Sequence, residues 1–149
     1  MYHRILIPLD GSPLGESALD VAVPLARCMD AALVLLSVPD HPMLEYYVDQ
    51  PIVLADLRVR DAERASAYLE AVATRLRATV TRVETRIAEG AVADAILMTA
   101  RSEDADLIVM ATHGRSGMGR FLLGSVADHV TRRVSIPVML IRPGPNKPG

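Results

Sequence analysis

A chain of 149 residues, half of them apolar, is long enough for one sizeable core and too short for two ordinary ones. Its formal net charge of -2 gives no electrostatic reason to expect DNA or RNA as a partner, and with no tryptophan it offers little for stacking bases or sugars. A single cysteine, Cys28, excludes an internal disulfide and a cysteine metal cluster, and the four histidines have no ligand spacing.

Arg4 to Leu9 is an almost unbroken apolar run and reads as a strand buried on both faces. Asp10-Gly11 turns the chain, and Ser12-Pro13 has the form of an N-cap followed by proline at the first helical position. Leu14, Ala18, Val21, Ala22 and Leu25 recur at helical spacing and are expected to form the buried stripe, with Cys28 a small buried residue of the same helix. Pro24 interrupts this pattern; it removes a backbone hydrogen bond and predicts a kink, at a cost of about 3 kcal/mol without compensating packing.

Ala32 to Val38 is a second apolar strand, ended by Pro39-Asp40-His41-Pro42. Met43 to Pro51 has no clear period and reads as a mobile excursion near the C-terminal edge of the sheet. From Ile52 to Arg77 the pattern is helical, with Ala65, Leu69, Val72 and Leu76 on one face and Arg58, Arg60, Glu63, Arg64 and Glu70 on the solvated side. Val80 to Ile87 alternates with Arg82, Glu84 and Arg86, the mark of an edge strand. Glu89-Gly90 turns into a helix carrying Val92, Ala95, Ile96 and Thr99, and a fourth strand follows at Asp106 to Met110.

A glycine-rich stretch from Ala111 to Ser125 then leads into a helical pattern over Val126 to Arg133, and Ile136 to Ile141 forms the last strand. Pro143 to Gly149 is a flexible tail, so residues 1–142 are expected to be one domain. The first residues enter a strand directly and no apolar run approaches membrane-spanning length, so a cytoplasmic location without membrane contact is expected.

Strands alternating with helices predict an open parallel sheet with helices on both faces, the Rossmann-like α/β class. Such a sheet binds ligands beyond the C-terminal ends of its strands, where the strand order switches. The stretch Ala111 to Ser125 lies there as strand, glycine-rich loop and helix start. That arrangement suits phosphate, because turning backbone N–H groups and the helix N-terminus face an anion. Gly114 and Gly119 have Walker A spacing, but Arg120 and Phe121 stand where Lys and Ser or Thr are required. Met118 likewise breaks a G-x-S-x-G reading.

Ala-Thr-His-Gly followed by nine residues and Gly-Ser resembles the phosphate-binding signature of the ATP-binding universal stress proteins. Gly114, Gly124 and Ser125 match that signature, and Ala111 stands where the family has glycine. The resemblance extends to Ile5-Leu6-Ile7-Pro8-Leu9-Asp10-Gly11-Ser12 and to Ile136-Pro137-Val138-Met139-Leu140-Ile141. It implies strand order 3-2-1-4-5 and ATP as ligand, with Mg²⁺ held through the phosphates and no dedicated metal or catalytic residue. It also implies adenosine near Asp10 and Val38, a triphosphate on Gly114, Gly124, Ser125 and the amides after it, and Pro8, Met110, Ala111, Arg115 and Val126 among the residues that contact the nucleotide.

Other readings stand beside these roles. Asp10 before Gly11 is also a turn former, and Ser125-Val126-Ala127-Asp128 also resembles a capping box. Arg115 and Arg120 read equally as phosphate ligands or solvated charges, and His113 as the maker of a structural hydrogen bond. In that strand order the long apolar segment Ile136 to Ile141 falls at an edge, which predicts a homodimer pairing it across a two-fold axis. The expected function is a dimeric, nucleotide-dependent stress sensor or regulator. Two alternatives stay open: an interaction module that binds no nucleotide, and a slow ATPase or nucleotidyl-transferring enzyme, for which the sequence offers no identifiable base.

Overall fold

The computed structural model describes residues 1–40, 49–113 and 123–142. Five strands, β1 (Arg4–Pro8), β2 (Ala32–Ser37), β3 (Val83–Ile87), β4 (Leu107–Ala111) and β5 (Val138–Ile141), form one sheet of order β3-β2-β1-β4-β5. Every neighbouring pair is parallel: Leu6 lies opposite Val34 and Ile108, Val34 opposite Glu84, and Met110 opposite Leu140. The order reverses between β1 and β4, so the chain leaves these two neighbouring strands toward opposite halves of the sheet, β1 leading to β2 and β4 to β5.

Alternation along the strands divides the core in two. Ile5, Ile7, Leu33, Leu35, Leu107 and Val109 face α2 (Leu19–Met29) and α3 (Pro51–Arg77), which bury Ala22, Ala26, Leu69, Val72, Ala73 and Leu76 against them. Leu6, Val34, Leu36, Ile108 and Met110 face α4 (Val92–Ser102) and α5 (Ser125–Arg133), through Ile96, Leu97, Ala100, Ala127 and Val130. Having both faces covered is what demands the unbroken apolar runs of β1, β2 and β4.

The first helical segment departs from its expected form. It divides into a single turn, α1 (Pro13–Glu16), and then α2. The division falls at Ser17 and Ala18, ahead of Pro24, which sits within α2. The buried face is Ala18, Leu19, Ala22 and Ala26, while Leu14 and Val21 are more than a third exposed. Cys28 is exposed rather than packed. Ala18, Leu19, Ala22 and Ala26 recur at helical spacing on the face that meets the sheet, which leaves Val21 on the outer side.

β3 begins at Val83, three residues later than the alternation suggests, and β5 begins at Val138, two residues after Ile136. The charges of β3 are structural. Arg4 pairs with Glu84 at 3.0 Å and Glu103 at 2.8 Å, and Arg86 pairs with Glu84 at 2.7 Å and Glu103 at 2.6 Å. This closed ring ties β1, β3 and the end of α4 together. Hydrogen bonds from the guanidiniums hold both carboxyls below the usual carboxylate range, and the carboxylates in turn raise Arg4 and Arg86.

Candidate functional site

The C-terminal ends of β1, β2 and β4 open into a crevice of about 690 Å³, within the range of small-molecule sites. Pro8, Asp10, Val38, Met110, Ala111, Gly124, Ser125 and Val126 all line it. Two further residues expected at this site, Gly114 and Arg115, lie outside the described residues, as do Arg120 and residues 43–48 of the excursion expected over Met43 to Pro51; its last residue, Pro51, instead opens α3.

Asp10 sits just beyond β1 in a tight turn. Its Oδ1 accepts from the backbone N–H of Ser12 at 2.9 Å and from the Ser12 hydroxyl at 2.6 Å. Gly11 carries φ 80°, a left-handed conformation that glycine adopts without cost. Ser12 then accepts from the Gly15 N–H at 3.0 Å and caps α1, as Ser-Pro predicts. Gly15 is tightly packed here, since a Cβ on it would lie 2.6 Å from Asp10 Oδ1. Asp10 is therefore a turn former and a crevice residue at once.

On the other side, Gly124 is the N-cap of α5 and its N–H donates to the Thr112 carbonyl at 2.9 Å. A Cβ on Gly124 would lie 2.6 Å from the same oxygen. With φ -59° the backbone suits any residue, so glycine is demanded by space alone. Ser125 is the first residue within the helix, and no side-chain hydrogen bond caps α5. The capping-box reading of Ser125 thus fails, because the helix starts one residue earlier than that motif needs. The first intrahelical bond runs from the Asp128 N–H to the Gly124 carbonyl, so the amides of Ser125, Val126 and Ala127 have no acceptor within the helix.

His113 Nδ1 stands 3.1 Å from the Thr112 hydroxyl, the structural contact expected of it. Its Nε2 is, among the described residues, the buried side-chain polar atom with no hydrogen-bond partner. No group of three or more His, Cys, Asp or Glu is placed to hold a metal among the described residues.

One wall is not anticipated from the sequence. Asp61, Arg64, Ala65 and Tyr68 of α3 line the crevice opposite α5. The signal was present in their spacing: 61, 64, 65 and 68 continue the helical stripe of Leu69, Val72 and Leu76 beyond the end of the sheet. Arg64, expected to be only solvated, is exposed and also faces the crevice, 3.8 Å from Asp61. The Tyr68 hydroxyl donates to Glu16 Oε1 at 3.0 Å; burial, then the Glu16 and Asp10 carboxylates, push its phenol well above the usual tyrosine range.

Comparison with known proteins places this architecture. Residues 1–142 match the model of the universal stress protein family. A universal stress protein of Thermus aquaticus is 33% identical over 146 residues, covering 95% of this chain and all of that protein. The solved universal stress protein UspA of Lactobacillus plantarum superposes with a TM-score of 0.80 at 26% identity, covering 95% of this chain and 98% of the other. A universal stress protein solved in complex with cAMP superposes with a TM-score of 0.68 at 28% identity, covering 96% of this chain and 98% of the other.

Proposed function

The chain belongs to the universal stress protein family, and from that premise and the crevice at the sheet switch we propose that it binds an adenine nucleotide, ATP with Mg²⁺ carried on the phosphates, as a dimeric sensor or regulator. The observation that carries the reading is the convergence of Asp10, Val38, Ala111, Gly124 and Ser125, from four separate chain segments, on one crevice. A relative solved with cAMP supports a nucleotide as the class of ligand.

The residues present fit such a ligand. Amides at the start of α5 lack intrahelical acceptors, and they offer donors to phosphate oxygens at the positive end of the helix. The orphaned His113 Nε2 lies in the same wall and has hydrogen-bonding capacity to spare. Asp10 offers acceptor oxygens to ribose hydroxyls, and Pro8, Val38 and Met110 give apolar surface to the base. Gly114 and Arg115 complete the phosphate cradle in this reading. Mg²⁺, carried on the phosphates, would neutralise part of their charge. No residue is assigned a catalytic role; the protein's work is to bind, orient and report.

Mass spectrometry of the purified protein, followed by calorimetric titration of nucleotide-free protein with ATP, AMP and adenosine, tests the reading. Retained nucleotide, or micromolar ATP affinity weakened in Ser125→Val, is the expected result. Absence of binding to all three would leave an interaction module as the function.

A further inference from the structure

The α1 turn is a single helical turn of four residues, too short to hold its own geometry. Yet it sets the position of Asp10, through the Ser12 cap and the close approach of Gly15. Something outside the turn must hold it. Its last residue, Glu16, accepts from the Tyr68 hydroxyl at 3.0 Å through one carboxylate oxygen and from Arg75 at 2.8 Å through the other. Both partners belong to α3, whose next turns are locked into the core by Leu69, Val72 and Leu76. The rigid helix therefore grips the far end of the turn that presents Asp10.

We propose that Tyr68 and Glu16 are positioning residues of the nucleotide site, holding the α1 turn so that the Asp10 carboxylate faces the ribose; the inference rests on the nucleotide reading above. Tyr68 suits the task. It lines the crevice, it is part-buried, and its hydroxyl donates to the Glu16 carboxylate at 3.0 Å, a bond to a charged acceptor. Without that bond, the Glu16 carboxylate keeps Arg75 as its side-chain partner among the described residues, a long side chain that is largely exposed and a poor fixed point.

The test is a double-mutant cycle read by calorimetry with adenosine and with AMP. Tyr68→Phe keeps the ring and should weaken both ligands about three- to tenfold, the scale of one hydrogen bond. In an Asp10→Ala background it should weaken neither further, because the residue it positions is gone. Glu16→Ala should behave as Tyr68→Phe does, whereas Glu16→Gln, which still accepts from the phenol, should retain most of the affinity. A Tyr68→Phe effect that adds fully to that of Asp10→Ala, or no effect of Tyr68→Phe and Glu16→Ala, overturns the proposal. Wild-type protein that binds neither ligand overturns the nucleotide reading itself, a distinguishable failure.

Discussion

At the scale of single residues, the crevice turns on atoms that serve both fold and site. Asp10 closes its turn with Oδ1, so replacing it acts twice. Asp10→Ala should lose about 1–3 kcal/mol of affinity for both ATP and adenosine, the range of a hydrogen bond to a charged group. It should also lower thermal stability, because Ser12 loses its acceptor. Asp10→Asn keeps an acceptor for Ser12 but loses the charge, so it should keep the stability and still lose affinity. Loss of phosphate binding with adenosine untouched would reverse the assigned orientation of the ligand. Gly124 makes a different point. Its Cβ would meet a backbone carbonyl that no rotamer change can move, so Gly124→Ala should destabilise the protein by about 1–3 kcal/mol, as overpacking does. Thermal denaturation reads this directly; an unchanged midpoint would show that β4 and α5 can separate without cost. Ser125→Val is therefore the cleaner probe of the phosphate cradle.

At the scale of elements, β3 and α4 are joined to β1 by the ring of Arg4, Glu84, Arg86 and Glu103. Each carboxyl has a folded pKa below its ordinary value, so it contributes stability that is present above the ordinary carboxylate range and is lost as pH falls through the depressed value. Glu103, the less exposed of the two carboxylates at 15%, is the more telling one to remove. Glu103→Gln should cost about 1–2 kcal/mol at pH 7 in urea denaturation, and the gap to wild type should close below about pH 4. A gap that stays constant down to pH 3 would mean that the ring contributes by packing alone. The same reasoning gives little weight to the exposed pairs Arg60–Asp56 within α3 and Arg132–Asp128 within α5.

At the scale of the whole molecule, the sheet has two edges of opposite character. β3 is edged with charge, whereas β5 carries Val138, Met139, Leu140 and Ile141, all partly exposed. A parallel sheet ending in apolar side chains and unpaired backbone groups is a template for another strand. We propose that a second copy supplies it across a two-fold axis, as the apolar sequence suggests. Leu140→Lys should then give monomer or aggregate in light scattering, while a soluble monomer should keep its ATP affinity, because the crevice is built from other strands. A wild-type monomer at about 50 μM, well above ordinary micromolar dissociation constants, would rule the dimer out. Nucleotide binding should also raise the melting temperature of the whole domain. A ligand at a hundredfold excess over its Kd adds about 2.7 kcal/mol to the folded state, and the absence of any shift with ATP would speak against the nucleotide reading.

Local pattern was enough for the parallel α/β class, for the approximate places of all five strands and for the Ser12 cap, because each of these is a short-range property of polarity and period; the expected site residues came instead from the family resemblance. The Asp-Gly turn after β1 and the described ends of the glycine-rich stretch, Ala111 to His113 and Gly124 to Ser125, meet at one crevice because a parallel sheet brings its strand C-termini to one side. What depended on the tertiary structure was which chemistry wins at residues with two readings. Ser125 is not the cap because it is already the first residue of α5; the cap position falls to Gly124, where the Thr112 carbonyl from a distant segment leaves no room for a side chain. Cys28 and Val21 are exposed because the face of α2 that meets the sheet is that of Ala18, Leu19, Ala22 and Ala26. The α3 wall, with Tyr68 gripping Glu16, joins residues 52 positions apart. Periodicity ranks positions around one helix, but it carries no information about which distant segment that helix will meet.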